Sequence, residues 1–312
     1  MRKIALRLTL FATALACLLP AVPARAQPIR VFVALTGADA NPCTFALPCK
    51  SAQHAHDVVA AGGEVRMLDP GSYGLLTITK SISILGDGHG GIAASNGATA
   101  ITINAGATDK INLRGLVIEG FGTGDYGIIF HTAASLNIQD SIIRNFAFAG
   151  ISFRATAASE LNVSQTLVSD LAGGGDAVDI VPTGSGSAIA VLDHVRLDHG
   201  SIGLDALGDS TTGSVNVTIA DSVISNYGNA GIIGESTNGT VQVMVRNCTA
   251  SNNATGIRSN GSPAVVRVTR STITANGTGL TAINSSSLVS YGDNNVDGNT
   301  TNGAATSAIG YH

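Results

Sequence analysis

The chain contains no tryptophan, five tyrosines and eight phenylalanines, and charged residues make up only 12% of its 312 positions. An ordinary globular domain carries about 25% charge. So thin a supply of ions and rings argues against a nucleic-acid surface and leaves few platforms on which sugars could stack. Long apolar runs are missing too. The stretch from Leu8 to Leu19 follows Arg2, Lys3 and Arg7 and is too short to span a bilayer. With the small-x-small site Ala24, Arg25, Ala26 it reads as an export leader cleaved before Gln27, with Cys17 as an alternative lipid-attachment position. Loss of residues 1–26 removes four basic residues (Arg2, Lys3, Arg7, Arg25) and no acidic one, which leaves 13 basic against 21 acidic, a net of −8. Neither nucleic acid nor an anionic membrane is an expected partner. The mature chain has no further apolar run of membrane-spanning length, so a periplasmic or secreted monomer is expected.

Cysteine is scarce as well. Cys17 leaves with the leader, and Cys43 and Cys49, in a loop with Pro42 and Pro48, are expected to form a disulfide in an oxidising compartment. Cys248 stands where other segments have Ser141, Ser222 and Ser271, which marks it as a small packed residue.

What is abundant is glycine, 38 residues of it, and the abundance is periodic. Units open with a small residue before apolar ones at Ala100, Gly127, Gly150, Ala177, Gly203, Gly231, Gly256 and Gly279, spaced by 27, 23, 27, 26, 28, 25 and 23 residues. A second marker keeps step: DSIIRN from Asp140, QTLVSD from Gln165, DSVISN from Asp221, NCTASN from Asn247. Between them apolar residues alternate, as in Val215, Val217 and Ile219, the period of strands with one buried face. Several short strands per unit of about 25 residues describe one coil of a solenoid in which each strand pairs with its counterpart in the next coil. The expected fold is an all-β, single-domain, right-handed parallel β-helix. Asn145, Asp170, Asp198, Asn226 and Asn252 close the second marker and suit left-handed turns with stacked side chains, and Phe130 and Phe153 should stack inside. Ser51 suits the N-cap of a short helix through Ala52, Ala55, Val58 and Val59, ended by Gly62 and Gly63, that lids the first coil. The expected organisation is a leader at 1–26, a strand, disulfide loop and capping helix at 27–63, the β-helix at 64–300, and a tail at 301–312.

The segments EVRMLDPGSYG (Glu64 to Gly74) and LTITKSISILGDG (Leu76 to Gly88) resemble the opening of the pectin-lyase-like β-helix proteins: strand, PGxY turn, strand, KSxxxxG. The resemblance covers nearly the whole mature chain. It implies the fold and a bias toward carbohydrate, since members include polysaccharide lyases, polygalacturonases, epimerases, tailspikes and adhesins, but it names no reaction. The sequence Gly88, His89, Gly90 spells the GHG of polygalacturonases without their aspartate pair before it or RIK-like segment after it, so His89 reads as a turn residue. The GGGD at Gly173 to Asp176 lacks the multiple copies that make calcium sites in RTX solenoids.

Registering the units gives a better lead. If Ile128, Phe130, Ile151, Phe153, Val178 and Ile180 point inward, then Ile129, Ser152, Asp179, Asp205, Ile233 and Arg258 form one outward row, and His131, Arg154, Val181, Leu207, Glu235 and Asn260 the next. Asp179 and Asp205 then sit on neighbouring rungs, roughly 4.8 Å apart, on an exposed face. Such a pair can share a proton, bind Ca²⁺, or act as acid and nucleophile. They are the candidate catalytic residues, with His131, Arg154, Glu235 and Arg258 as candidate substrate-binding residues. The resemblance implies Ca²⁺ carboxylates and a basic arginine on such a face, roles open to Arg154 or Arg258; no cofactor is required. Asp193, His194, Asp198 and His199 form a weaker second cluster, with His194 in the serine position and Asp198 in the turn ladder. Tyr126, Phe146, Phe148 and Tyr227, in turns, are the rings available to a sugar. Three functions follow in order: a noncatalytic glycan- or envelope-binding solenoid, a polysaccharide lyase, hydrolase or epimerase using the acidic face, and a structural or adhesive solenoid.

Overall fold

The structure, a computed structural model, describes residues 26–172 and 174–310. The expected leader up to residue 25 lies outside the described residues. Alternating apolar side chains wind the chain into about nine coils of a parallel β-helix. In each central coil one strand joins a twelve-stranded sheet, the first face, as with Ser135–Gln139 and Ala158–Ser164. A second, long strand then bends to serve two more faces, as in Ile142–Phe153 and Arg196–Leu207. Pairing is parallel and in step: Leu136 meets Leu161, and Ile138 meets Val163. All four of these are buried, as are Val215, Val217 and Ile219, because a period of two sends every second side chain into the same core. Phe130 and Phe153, fully buried, stack with ring centroids 4.2 Å apart.

The bends fall where short polar side chains tolerate left-handed backbone. Asn145, Asp170, Asn226 and Asn252 have φ between 56° and 66°. In the coil between, however, His199 (φ 60°) takes this place and not Asp198, which stays in the strand opposite Ser169 and Ser225. The preceding corner is displaced in the same way. His194 (φ 52°) is left-handed and exposed, and Val195 fills the buried position held elsewhere by Ser141 and Ser222. Histidine shares the left-handed tolerance of Asn and Asp, so a segment with two Asp-His pairs can be read one residue out of phase. The stacked amides likewise follow the turn by one residue: Asn253, Asn276 and Asn299 line up, and the Oδ1 of Asn276 and of Asn299 accepts both the backbone N–H and the side-chain Nδ2–H of the asparagine one coil before.

Both N-terminal devices are present. The Ser51 side chain accepts the His54 N–H and starts a helix over Ala52–Val58 that buries Ala52, Ala55 and His56. Arg30–Val33 is the edge strand of the first face, and the loop closed by the Cys43–Cys49 disulfide covers its free side. Phe32 donates its N–H to Cys43 O and accepts from Cys49 N. An unpaired edge would otherwise invite another chain. At the other end pairing continues past position 300, where the tail was expected to begin: Thr301–Gly303 pairs with Thr278–Ile283, and Ser307–Ala308 with Ser287–Ser290.

Cys248 is buried, and burial raises its thiol to about 11. Its Sγ lies 3.2 Å from Arg246 O, just as Ser141 Oγ and Ser271 Oγ donate to the carbonyl two residues back. Cys248→Ser is therefore expected to change stability by less than about 1 kcal/mol, and the native thiol should resist a disulfide reagent until the protein is unfolded, which urea melts and thiol titration will read.

Candidate acid-pair site

The third face is formed by the segments after the bend: the end of Val117–Thr132, the end of Ile142–Phe153, then Asp176–Ile180, and the ends of Arg196–Leu207 and Val223–Glu235. Its register is the one expected. Ile129, Ser152, Asp179, Asp205, Ile233 and Arg258 are successive partners in one outward row. Asp179 and Asp205 are thus direct neighbours on adjacent rungs.

Their expected exposure is not found. Asp179 and Asp205 are 9% and 7% exposed, and Ser152 and Ile233 are fully buried. Different groups flank the pair at its two ends. On one side Ile202, Ala230 and Ile233 form an apolar cluster outside the main core. On the other, Arg154 folds back over the row: its Nε donates to Ser152 Oγ at 2.8 Å, its Nη2 donates to Tyr126 OH at 3.1 Å and lies 3.9 Å from Asp179 Oδ2, and its guanidinium sits 5.2 Å from the Tyr126 ring centroid. Ser152 Oγ in turn donates to Asp179 Oδ2 at 3.1 Å.

Two buried carboxyl oxygens, Asp179 Oδ1 and Asp205 Oδ1, have no hydrogen-bond partner, nor has Arg258 Nε nearby. Burial pushes Asp205 well above the usual carboxylate range; the charges of Glu235, Asp176 and Asp179 push it further and Arg258 opposes them. Asp179 is raised by burial to about 6, held down by the Ser152 hydroxyl and Arg154. Both carboxyls are thus biased toward their protonated forms, Asp179 with a hydroxyl and a guanidinium that favour its charge and Asp205 among acids that oppose its own. Asp176, which sequence reasoning passed over, joins them. Burial and the Asp179 charge lift it to about 7, against an N–H donated by Ile202. The signal was available: Asp176 lies three residues before Asp179, outside the alternation because two inward residues, Ala177 and Val178, separate them at the corner.

The other named residues converge here. His131 is held low by burial and by Arg154. Arg258 donates to Asn229 Oδ1 at 3.0 Å, and Glu235 accepts from Asn260 at 3.0 Å. Of the rings offered to a sugar, Phe146 and Tyr227 are instead buried in the core, because the turns that carry them fold inward beside glycines. Tyr126 and the exposed Phe148 remain outside, 5.6 Å apart. The second cluster resolves into two separate pairs, Asp193 with His194 and the half-buried Asp198 with His199, of which the two histidines are exposed.

Among the described residues the set of three ligand types with atoms within 4.8 Å of one another is Cys43, Cys49 and His54. Its sulfurs are bonded to each other, so no thiolate is free for a metal. Among the described residues the acid row supplies no equally tight set of three ligand groups.

No protein-family model matches the chain, and no curated protein matches its sequence. Its structure is similar to that of the pectate lyase Pel9A, with a TM-score of 0.60 and 13% identity over 90% of this chain and 78% of that one. It is also similar to an alginate lyase from Paenibacillus sp. str. FPU-7, with a TM-score of 0.56 and 14% identity over 90% of this chain and 98% of that one. The fold is the pectin-lyase-like β-helix. At such identities the likeness concerns the backbone, and the chemistry must be read from this chain's own β-helix face. No helix among the described residues is long and apolar enough to cross a membrane.

Proposed function

We propose that the protein is an exported, carbohydrate-active β-helix in which Asp179 and Asp205 form an acid–base pair beneath a glycan laid over the third face. The observation that carries this reading is the pair itself: two carboxyls on neighbouring rungs, each with a buried oxygen that lacks a partner. Nothing in the packing of a solenoid requires like acids to be buried together, and burying them without partners costs stability. In this reading neutral Asp205 protonates a leaving oxygen. Ionised Asp179, steadied by Ser152 and Arg154, serves as nucleophile or base from the neighbouring rung. Tyr126 and Phe148 would stack a sugar ring, and His131, Glu235 and Arg258 would bind its hydroxyls. The similarity to two polysaccharide lyases supports carbohydrate as the substrate class. The leader and the disulfide support a periplasmic or secreted location.

A noncatalytic glycan-binding solenoid is the second reading. It is favoured by the lie of Arg154, which must swing away before a substrate atom can reach Asp179. One experiment separates the two. The mature chain, with and without Ca²⁺, is incubated with uronic-acid, hexose and N-acetylhexosamine oligosaccharides, and bound and released sugar are scored. Turnover that falls by about 10²–10⁴-fold in Asp205→Asn and Asp179→Asn establishes the enzyme. Binding without turnover establishes the second reading. Neither binding nor turnover would sink both and leave a structural solenoid.

A further inference from the structure

Beside the acid row, at the corner between the second and third faces, bulky side chains give way to small ones. Phe148 projects from this corner with 57% of its surface exposed. Because Ala149 pairs with Asp176, Phe148 stands one rung from Gly175, whose carbonyl accepts the Ser201 N–H at 2.8 Å. From there on the corner carries Gly174, Gly200 and Gly228, and a recess of about 540 Å³ opens among them, edged by His199, Ser201 and Asn229. The recess adjoins the acid row at two points. Ile202, next to Ser201, donates its N–H to Asp176, and Asn229 accepts from Arg258.

Close packing explains only part of this. At Gly200 an added Cβ would meet Gly175 O at 2.6 Å, so that position must be glycine. At Gly228 the nearest atom to an added Cβ is Gly200 O, at an ordinary 3.7 Å, and the backbone is not left-handed. Neither the fold nor the backbone requires glycine there, yet its absence of a side chain keeps the recess open. The lining offers an imidazole, a hydroxyl and amides, and contains no Lys, Arg, Asp or Glu. With the apolar Leu171 beside them, these groups can meet both the hydroxyls and the apolar face of a pyranose, and Phe148 stands outside the lining on the preceding coil.

We infer that this recess is a second glycan subsite, taking one neutral pyranose unit adjoining the unit held at the acid row. The inference rests on the glycan reading above and adds to it a neutral, hydroxyl-rich sugar at this position and a chain that turns the corner of the solenoid.

The test compares wild type, Gly228→Leu and Gly228→Ala by calorimetric titration with hexose, N-acetylhexosamine and uronic-acid oligosaccharides of two to six units, with thermal melts as a check on folding. Wild type is expected to gain about tenfold in affinity when a neutral oligosaccharide becomes long enough to reach the recess. Gly228→Leu should lose that gain while binding short oligosaccharides as before, and Gly228→Ala should keep it. If the leucine variant melts early, Ser201→Ala takes its place and should lose part of the same gain. Length-dependent affinity unchanged in both Gly228→Leu and Ser201→Ala would overturn the subsite and leave the glycan reading standing. An equal gain for uronic-acid oligosaccharides would overturn its neutral character. Wild type that binds no oligosaccharide would remove the glycan reading and the subsite with it.

Discussion

The melting temperature is expected to fall as pH rises from about 5 to 8, and Asp205→Asn is expected to make that fall shallower. The sign follows from the direction of the shifts. Asp176, Asp179 and Asp205 all have folded-state carboxyls above the usual range, the first two at about 7 and about 6 and Asp205 raised by burial and by the charges around it. An acid raised on folding binds its proton more tightly in the native state, so its contribution is complete below the unfolded value near 3.8. That contribution is lost as pH rises through the folded value. Holding Asp179 at about 6 corresponds to roughly 3 kcal/mol of difference between its neutral and ionised forms. The three acids repel one another, so their effects do not add. Asn at position 205 is neutral at every pH, nearly the shape of the protonated acid, and can donate to its acidic neighbours. It removes the titration of Asp205 itself, whereas Asp176 and Asp179, raised first by burial, keep theirs. Below about pH 4 the sign reverses, because Asp39, Asp109, Glu119 and Asp198 are held low by hydrogen bonds and ion pairs and lose that stabilisation when protonated. Circular-dichroism melts between pH 4 and 8 on both proteins check this. Parallel curves for wild type and Asp205→Asn would show that folding does not raise the Asp205 carboxyl as inferred.

The larger loss of stability is expected from Phe153→Ala, about 3 to 5 kcal/mol. Phe153 is fully buried, stacks on Phe130 and pairs in register with Ile180 in the following coil, so its removal opens a cavity across two coil interfaces. A solenoid has little means of closing such a gap, because each coil is held at the spacing of its backbone ladder and contacts only its neighbours. Phe148→Ala, five residues earlier, removes an equally large ring that is mostly exposed, and should change stability by less than about 1 kcal/mol. Urea denaturation of both variants tests the contrast. Similar losses at the two positions would mean that Phe148 packs far more closely than its exposure indicates.

Much of this architecture is legible in the chain itself. Unit spacings near 25 residues and an alternation of apolar side chains define coils. Because side chains alternate with a period of two, aligning the units fixes which residues share a rung, so the pairing of Asp179 with Asp205 and the stacking of Phe130 on Phe153 follow from register alone. Ser51 and the two cysteines of the first loop likewise announce the N-terminal cover. Reading fails where the alternation breaks. At the corners two consecutive residues point inward, which hid Asp176, and in the segment from Asp193 to His199 either of two histidines fits a left-handed turn.

Solvent access was decided by the tertiary structure alone. Alternation states on which side of a sheet a residue lies, but whether that side faces water depends on what the neighbouring coils fold over it. Arg154, reaching across to Tyr126 beside Asp179, and the apolar group of Ile202, Ala230 and Ile233 beside Asp205 come from different coils and flank two aspartates that are both buried. The same pair that register sets on an outward face is taken out of water, and removal from water gives two ordinary aspartates their tightened hold on a proton.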